Sequence, residues 1–302
     1  MKFGVTFPNS WGIEDPKVLF DLGIRAEELG YDSLWTSEHV FNVSYVGARL
    51  GNAPYYDSLL SLTYLAAITG SIRLGTSVLV LPYHHPVTLA KQLATLDVFC
   101  GGRLDVGVGA GVIEEEFRGL GAEFSERGLV TDESIQAMKA LWTEEVPEFH
   151  GQHYDFSSMV FSPKPLQKPH PPVYVGGDSR PAIRRAAREA DVWHPTSIGV
   201  EGLRLGTRYL EEQALEMGRD PERIGISVRL DLDFPTLGGP RTAPRSPRPS
   251  LSGIPDEVSE QVRVYADEGV QELLLATNSR DASIISETID MFAGEVMPAF
   301  RG

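Results

Sequence analysis

Short apolar runs alternate with longer amphipathic stretches along almost the whole chain. The runs KFGVTF (2–7), YDSLWTS (31–37), IRLGTSVLVL (72–81), GRLDVGVGA (102–110), PVYVGG (172–177), ADVWHP (190–195), RIGISVRLDLDF (223–234) and VQELLLAT (270–277) each read as a strand. They are apolar and rich in β-branched residues, as strands buried on both faces are. Helices fill the gaps. Asp15 caps the first, with Pro16 at its first position and Gly30 at its end, and Asp57 caps the next. Others run from Pro86 to Phe99, over 112–143, from Pro181, and over 200–218, 255–268 and 281–293. Alternation of this kind implies parallel pairing. Eight such units in about 300 residues predict a (β/α)8 TIM barrel with insertions, one domain over 1–302. A doubly wound dinucleotide sheet is disfavoured, because no GxGxxG opens a helix after the first strand. Two segments break the rhythm. Residues 147–172 read as a small hairpin plus an extended connection, and 235–255 as an irregular Pro-rich insertion.

Charge narrows the partners. Lys and Arg number 27 against 42 Asp and Glu, a net charge of −15. Nucleic-acid and anionic-membrane binders are usually basic, so neither is expected. Cys100 is the one cysteine, which excludes an intrachain disulfide and suits a reducing cytoplasm. The start MKFGVTFP reads as a strand, not a secretion signal. No apolar run reaches the ~20 residues that span a bilayer.

In a TIM barrel the chemistry lies at the C-terminal strand ends. Here these carry Glu38–His39, Leu81–Pro82–Tyr83, Gly109–Ala110–Gly111, Gly176–Gly177–Asp178–Ser179, His194, Asp231–Asp233 and Thr277–Asn278. A catalytic metal needs about three suitable ligands, and no HxH or HExxH stands there, so no metal is expected. None of Lys2, Lys17, Lys91, Lys139, Lys164 or Lys168 ends a strand, which argues against a Schiff base. VYVGGDSRPAIRRAARE offers a different chemistry. Its two glycines allow close backbone approach, Ser179 adds a hydroxyl, and a helix N-terminus follows, with Arg180, Arg184 and Arg185 nearby. That suits a phosphate; an ordinary capped turn would carry the same residues. Glu114–Glu116 read as the solvated first turn of a helix.

The segments AEELGYDSLWTSEHV, IRLGTSVLVLPYHHPVTLAKQLATLDVFCGGRLDVGVGAG and PPVYVGGDSRPAIRRAAREADVWHP resemble the bacterial-luciferase-like monooxygenase superfamily over essentially the full length. TSVLVLPYHHPVTLAKQLATLD and SPKPLQKPHPPVYVGG are most similar to its F420-dependent oxidoreductase branch. The resemblance implies a TIM barrel with the cofactor ring in its mouth and a non-prolyl cis peptide at Ser77–Val78 behind the ring. It also implies a phosphate loop at Gly176, Gly177, Asp178 and Ser179, with His39 and Glu38 at the reacting centre. Gly109, Ala110, Gly111 and His194 complete the expected cofactor contacts. Members of the branch commonly carry Asp where this chain has Glu38, and flavin mononucleotide (FMN) members often carry Glu-His. The tryptophan and carboxylate of its sugar-phosphate dehydrogenases match Val43 and Val112, so a sugar phosphate is not the expected substrate.

The resulting expectation is hydride transfer between coenzyme F420 and a small organic substrate. His39 would be the general acid or base, and Glu38 its helper if the chain turns there. One alternative is an FMN-dependent monooxygenase using reduced flavin and oxygen; another is a non-catalytic flavin-binding barrel. Arg241, Arg245 and Arg248 would offer an anionic cofactor a positive patch. The 40–56 loop and the 235–255 insertion would shape the pocket. LLSLTYLAAIT and TLAKQLATLDVF are apolar enough for a second buried face, as in the family's homodimers.

Overall fold

A computed structural model describes residues 1–237, 249–277 and 279–301. The barrel strands are Lys2–Thr6, Ser33–Thr36, Arg73–Thr76 continued by Leu79–Val80, Leu104–Gly109, Val173–Gly176, Val192–His194, Gly225–Asp233 and Glu272–Ala276. Each pairs in parallel with the next, and the last pairs with the first, Lys2 opposite Glu272, so the sheet closes. The predicted TIM barrel is therefore present.

Local chemistry sets the helices. Asp15 accepts from Lys17 N, Pro16 opens the helix Pro16–Glu28, and Gly30 (φ 78°) turns the chain after it. Asp57 accepts from Leu60 N at the start of Ser58–Ile68. Along this second helix Leu62 and Leu65 are buried, while Leu60 and Tyr64 remain exposed.

Several elements differ from expectation. The helix expected over 112–143 is two, Glu114–Leu120 and Arg127–Thr143, because Gly121 adopts a left-handed conformation and ends the first. The 40–56 loop contains a short helix, Ser44–Leu50. The 235–255 insertion is not wholly irregular, since Ser250–Ser252 pairs in parallel beside Asp231–Asp233. The hairpin is found, Phe149–His150 against Asp155–Phe156. Among the described residues no helix is long and apolar enough to cross a membrane.

Alternate residues of each strand face opposite ways. Leu34, Leu74, Val106, Val175 and Leu273 join the layer under the helices. The barrel interior is partly polar towards the N-terminal end of the strands. Arg73 pairs with Asp105 at 2.6 Å, and Glu272 accepts from Ser33 Oγ at 2.6 Å and from Tyr174 Oη at 3.3 Å. Burial pushes the Glu272 carboxyl up to about 7, against the Ser33 hydrogen bond and with help from Asp105. The native state then binds a proton that the unfolded chain releases near pH 4.5. Stability is therefore lost as pH rises from about 4.5 to 7, by up to about 3 kcal/mol. Glu272→Gln is expected to remove this loss. In urea unfolding it should exceed the wild type by about 1–3 kcal/mol at pH 8 and lose that advantage at pH 4.5. A variant equally less stable at both values would contradict this.

Candidate active site

Glu38 and His39 follow the second strand after Ser37, and their side chains diverge, as adjacent residues on extended backbone do. Glu38 turns to the third strand. One oxygen accepts from Val80 N at 2.6 Å, and the other lies 2.8 Å from His84 Nε2. Burial disfavours the His84 imidazolium, but the bond and charge of Glu38, with Asp57, outweigh it and raise its pKa. His39 turns the other way. Its Nδ1 lies 2.7 Å from Glu116 Oε2 and its Nε2 2.9 Å from Tyr45 Oη. Two carboxylate–imidazole pairs thus stand at the mouth, each joining residues far apart in sequence. The expected pairing of Glu38 with His39 is corrected: Glu38 serves His84, and Glu116 serves His39.

Glu116 was expected in a solvated first turn. Glu114 and Glu115 are exposed, but Glu116 is fully buried, on the same face as Phe117. Its Oε1 accepts from Val40 N at 2.7 Å and Phe41 N at 3.1 Å, and its Oε2 accepts from Tyr83 Oη at 3.0 Å. Burial pushes this carboxyl up, but the bond and charge of His39 and the two backbone N–H groups outweigh it and hold it below the usual range. No role at the site was expected of Glu116, His84 or Tyr45. A usable signal existed for His84, which follows a barrel strand within HHP.

The third strand bulges. From Gly75 opposite Asp105 to Leu79 opposite Val108 it advances four residues while its neighbour advances three. One extra residue in one strand is a β-bulge. The Ser77–Val78 peptide within it is cis. Three other strands hold the bulge. Ser77 N donates to Thr36 O at 2.6 Å, Ser77 O accepts from Arg229 at 3.1 Å, and Ser77 Oγ lies 2.9 Å from His194 Nε2. Arg229 also donates to Ser37 Oγ. Gly109 and Gly176 leave room for Val78, since a Cβ on either would come within 2.8 or 2.9 Å of its methyl groups. His194 was expected at the cofactor. It is instead fully buried beneath the bulge, stacked on Trp35, with Nδ1 3.1 Å from Ser227 O. It supports Ser77 and does not reach the mouth surface.

At the loop after the fifth strand, Gly177 adopts φ 115°. Ser179 caps the helix Arg180–Glu189 by accepting from Ala182 N. Asp178 Oδ1 accepts from Thr196 N at 2.9 Å. Ser179 and Arg180 are exposed. Arg180 lies over the Tyr209 ring, and Arg184 donates to Tyr209 Oη. Arg185 was expected to add charge here, but it is buried against Asp132 and Gly128 O. Arg241, Arg245, Arg248 and Asn278 lie outside the described residues. Among the described residues, no three His, Cys, Asp or Glu side chains are grouped to hold a metal.

Known proteins share this chain's pattern. The family model described as luciferase-like monooxygenase matches residues 1–232. An FMNH2-dependent dimethylsulfone monooxygenase of Pseudomonas putida is 33% identical over 222 residues, 72% of this chain but only 58% of that protein. Among solved structures, monooxygenase RslO1 from Streptomyces bottropensis superposes with a TM-score of 0.83 at 23% identity, covering 99% of this chain and 100% of that one. An F420-dependent secondary alcohol dehydrogenase, solved with an F420–acetone adduct, superposes with a TM-score of 0.84 at 20% identity, covering 100% and 99%. At those identities the structures establish the shared fold. The match over residues 1–232 establishes more: this chain belongs to the luciferase-like monooxygenase family.

Proposed function

We propose that this chain is a two-electron oxidoreductase that holds a flavin or deazaflavin in the C-terminal mouth of its barrel, with His39 exchanging the substrate's proton. One observation carries the reading. The His39–Glu116 pair stands at the same barrel end as the Ser77–Val78 bulge and the Gly177–Ser179 loop. The mouth fits such a group. Val78 is partly exposed between buried Ser77 and Leu79, as are Ala110 and Gly111, and Ser179 is exposed at a helix N-terminus. Ser77, Val78, Gly109, Ala110 and Gly111 would line the ring, and Gly176–Ser179 would take the phosphate. Once bound, the cofactor supplies hydride transfer or, as reduced flavin, oxygen activation. The protein's own groups fix the bulge through Arg229 and His194 and hold a proton at His39. Val40, Tyr45 and Val112, all at least half exposed at the rim, suit a small, partly apolar organic substrate.

The sequence motifs favour coenzyme F420. A second reading, FMN, is supported by the 33% identity to a relative named for FMNH2 and by Glu38 in the position where FMN members often carry Glu. Anaerobic titration with reduced F420 and reduced FMN, followed by admission of oxygen, separates them. Saturable binding of F420 alone supports the first reading. Binding of reduced FMN alone with oxygen uptake supports the second. If neither binds, the proposal fails. The same reading includes a homodimer through the face carrying Leu60 and Tyr64, which light scattering of a monomer would remove.

A further inference from the structure

His39 has both ring nitrogens engaged, in unlike surroundings. The Nδ1 contact with Glu116 is partly buried, whereas the Nε2 contact with Tyr45 is exposed. Four groups converge on the Glu116 carboxylate: the imidazole, the Tyr83 hydroxyl and the Val40 and Phe41 N–H groups. The two backbone groups can only donate, so Oε1 must accept. An ionised carboxylate has no proton to give Nδ1, so Nδ1 carries the hydrogen. A neutral imidazole has one N–H. Nε2 is therefore bare and accepts the Tyr45 hydroxyl hydrogen.

We propose that Glu116 is the positioning residue of His39, locking it in the Nδ1–H tautomer so that Nε2 faces the substrate side of the mouth as a proton acceptor. This rests on the reading that His39 exchanges the substrate's proton. Nε2 takes the proton leaving the substrate, Nδ1 keeps its own, and Glu116 balances the charge that appears on the ring. In the reverse direction the imidazolium returns that proton from Nε2. Tyr45 is the resting partner of Nε2, and Tyr83 and the two N–H groups keep the carboxylate from rotating away. Glu38 takes no part, because it is committed to His84 and Val80.

Glu116→Gln tests this sharply. The glutamine carbonyl must meet the Val40 and Phe41 N–H groups, which places its NH2 against Nδ1 and Tyr83 Oη. Nδ1 then becomes an acceptor, and His39 must switch to the Nε2–H tautomer. The switch is read from 15N spectra of histidine-labelled, cofactor-free protein at a pH where the ring is neutral. The chain has seven histidines, and His39→Gln identifies the signal. The expected result is Nδ1–H in the wild type and in Glu38→Gln, and Nε2–H in Glu116→Gln with its fold retained. Turnover with whichever cofactor binds should fall about 100-fold or more in Glu116→Gln, with cofactor affinity kept. An Nε2–H tautomer in the wild type overturns the proposal whether or not the variant folds, and so does an unchanged tautomer in Glu116→Gln. If the tautomers behave as stated and no cofactor binds the wild type, the functional reading fails and the positioning role stands.

Discussion

His39→Ala is expected to lower turnover by ~10²–10⁴-fold, the range for losing a positioned general acid or base. Cofactor affinity should stay within about twofold, because the loss falls on proton transfer and not on uniform binding. His39 is not among the residues holding the bulge, so the cofactor wall should survive. The fold should also survive. Glu116 keeps three hydrogen-bond donors, Val40 N, Phe41 N and Tyr83 Oη, so removing the imidazole does not strand a buried carboxylate. Steady-state rates with separately measured cofactor dissociation constants check this. Equal losses in turnover and in cofactor affinity would show that His39 holds the site together and does not serve the reaction.

Gly107→Ala is expected to be the most damaging single-methyl change near the site, costing about 4 kcal/mol or more. A Cβ at Gly107 would stand 1.7 Å from the carbonyl oxygen of Thr76. That neighbour is backbone and cannot swing aside. It is also pinned, because Thr76 Oγ1 donates to Gly107 O at 2.7 Å and accepts from Gly107 N at 2.9 Å. The hydroxyl thus bridges the third and fourth strands where the bulge interrupts their ladder. Pushing the strands apart would break both bonds and move the bulge. Gly70→Ala is the control: its Cβ would meet nothing within 4 Å, so a change within about 1 kcal/mol is expected. Thermal or urea unfolding of the two variants decides. If Gly107→Ala behaved like Gly70→Ala, the close approach of the two strands at the bulge would be wrong.

The barrel was legible because both of its signals are local. Apolar runs mark strands, and Asp15, Pro16 and Gly30 punctuate a helix whatever surrounds them. The bulge was less so. Nothing local in GTSVLVL distinguishes a strand that breaks after Thr76 from one that continues. The position was reached through family resemblance, and the cis peptide at Ser77–Val78 lies where that resemblance put it. The active-site pairing was the least legible. Glu38 and His39 are neighbours in sequence, but extended backbone sends them apart, and each finds its partner on another element. The distance from His39 to Glu116 along the chain is 77 residues. Glu116 also sits in a run of three glutamates, where only the helix phase separates the buried carboxylate from its exposed neighbours. His194 misled for a related reason. A residue at a strand end can point under the mouth as readily as into it, and the Trp35 ring and Ser77 hydroxyl hold this one below.

Under the proposed function, the barrel mouth takes a phosphate-bearing flavin or deazaflavin with its phosphate at Gly176–Ser179. Ser179→Asp tests it with little cost to the fold, since Asp is as good a helix cap as Ser, while it adds a negative charge where the phosphate is placed. The measurement is the affinity of wild type and variant for FMN against riboflavin, and for F420 against the same deazaflavin lacking its phosphate. The wild type is expected to favour the phosphorylated member of one pair. Ser179→Asp is expected to weaken that member by about tenfold or more while leaving its phosphate-free counterpart unchanged. Equal affinity of the wild type for both members of each pair, or a variant that binds the phosphorylated cofactor as tightly as the wild type does, would contradict it.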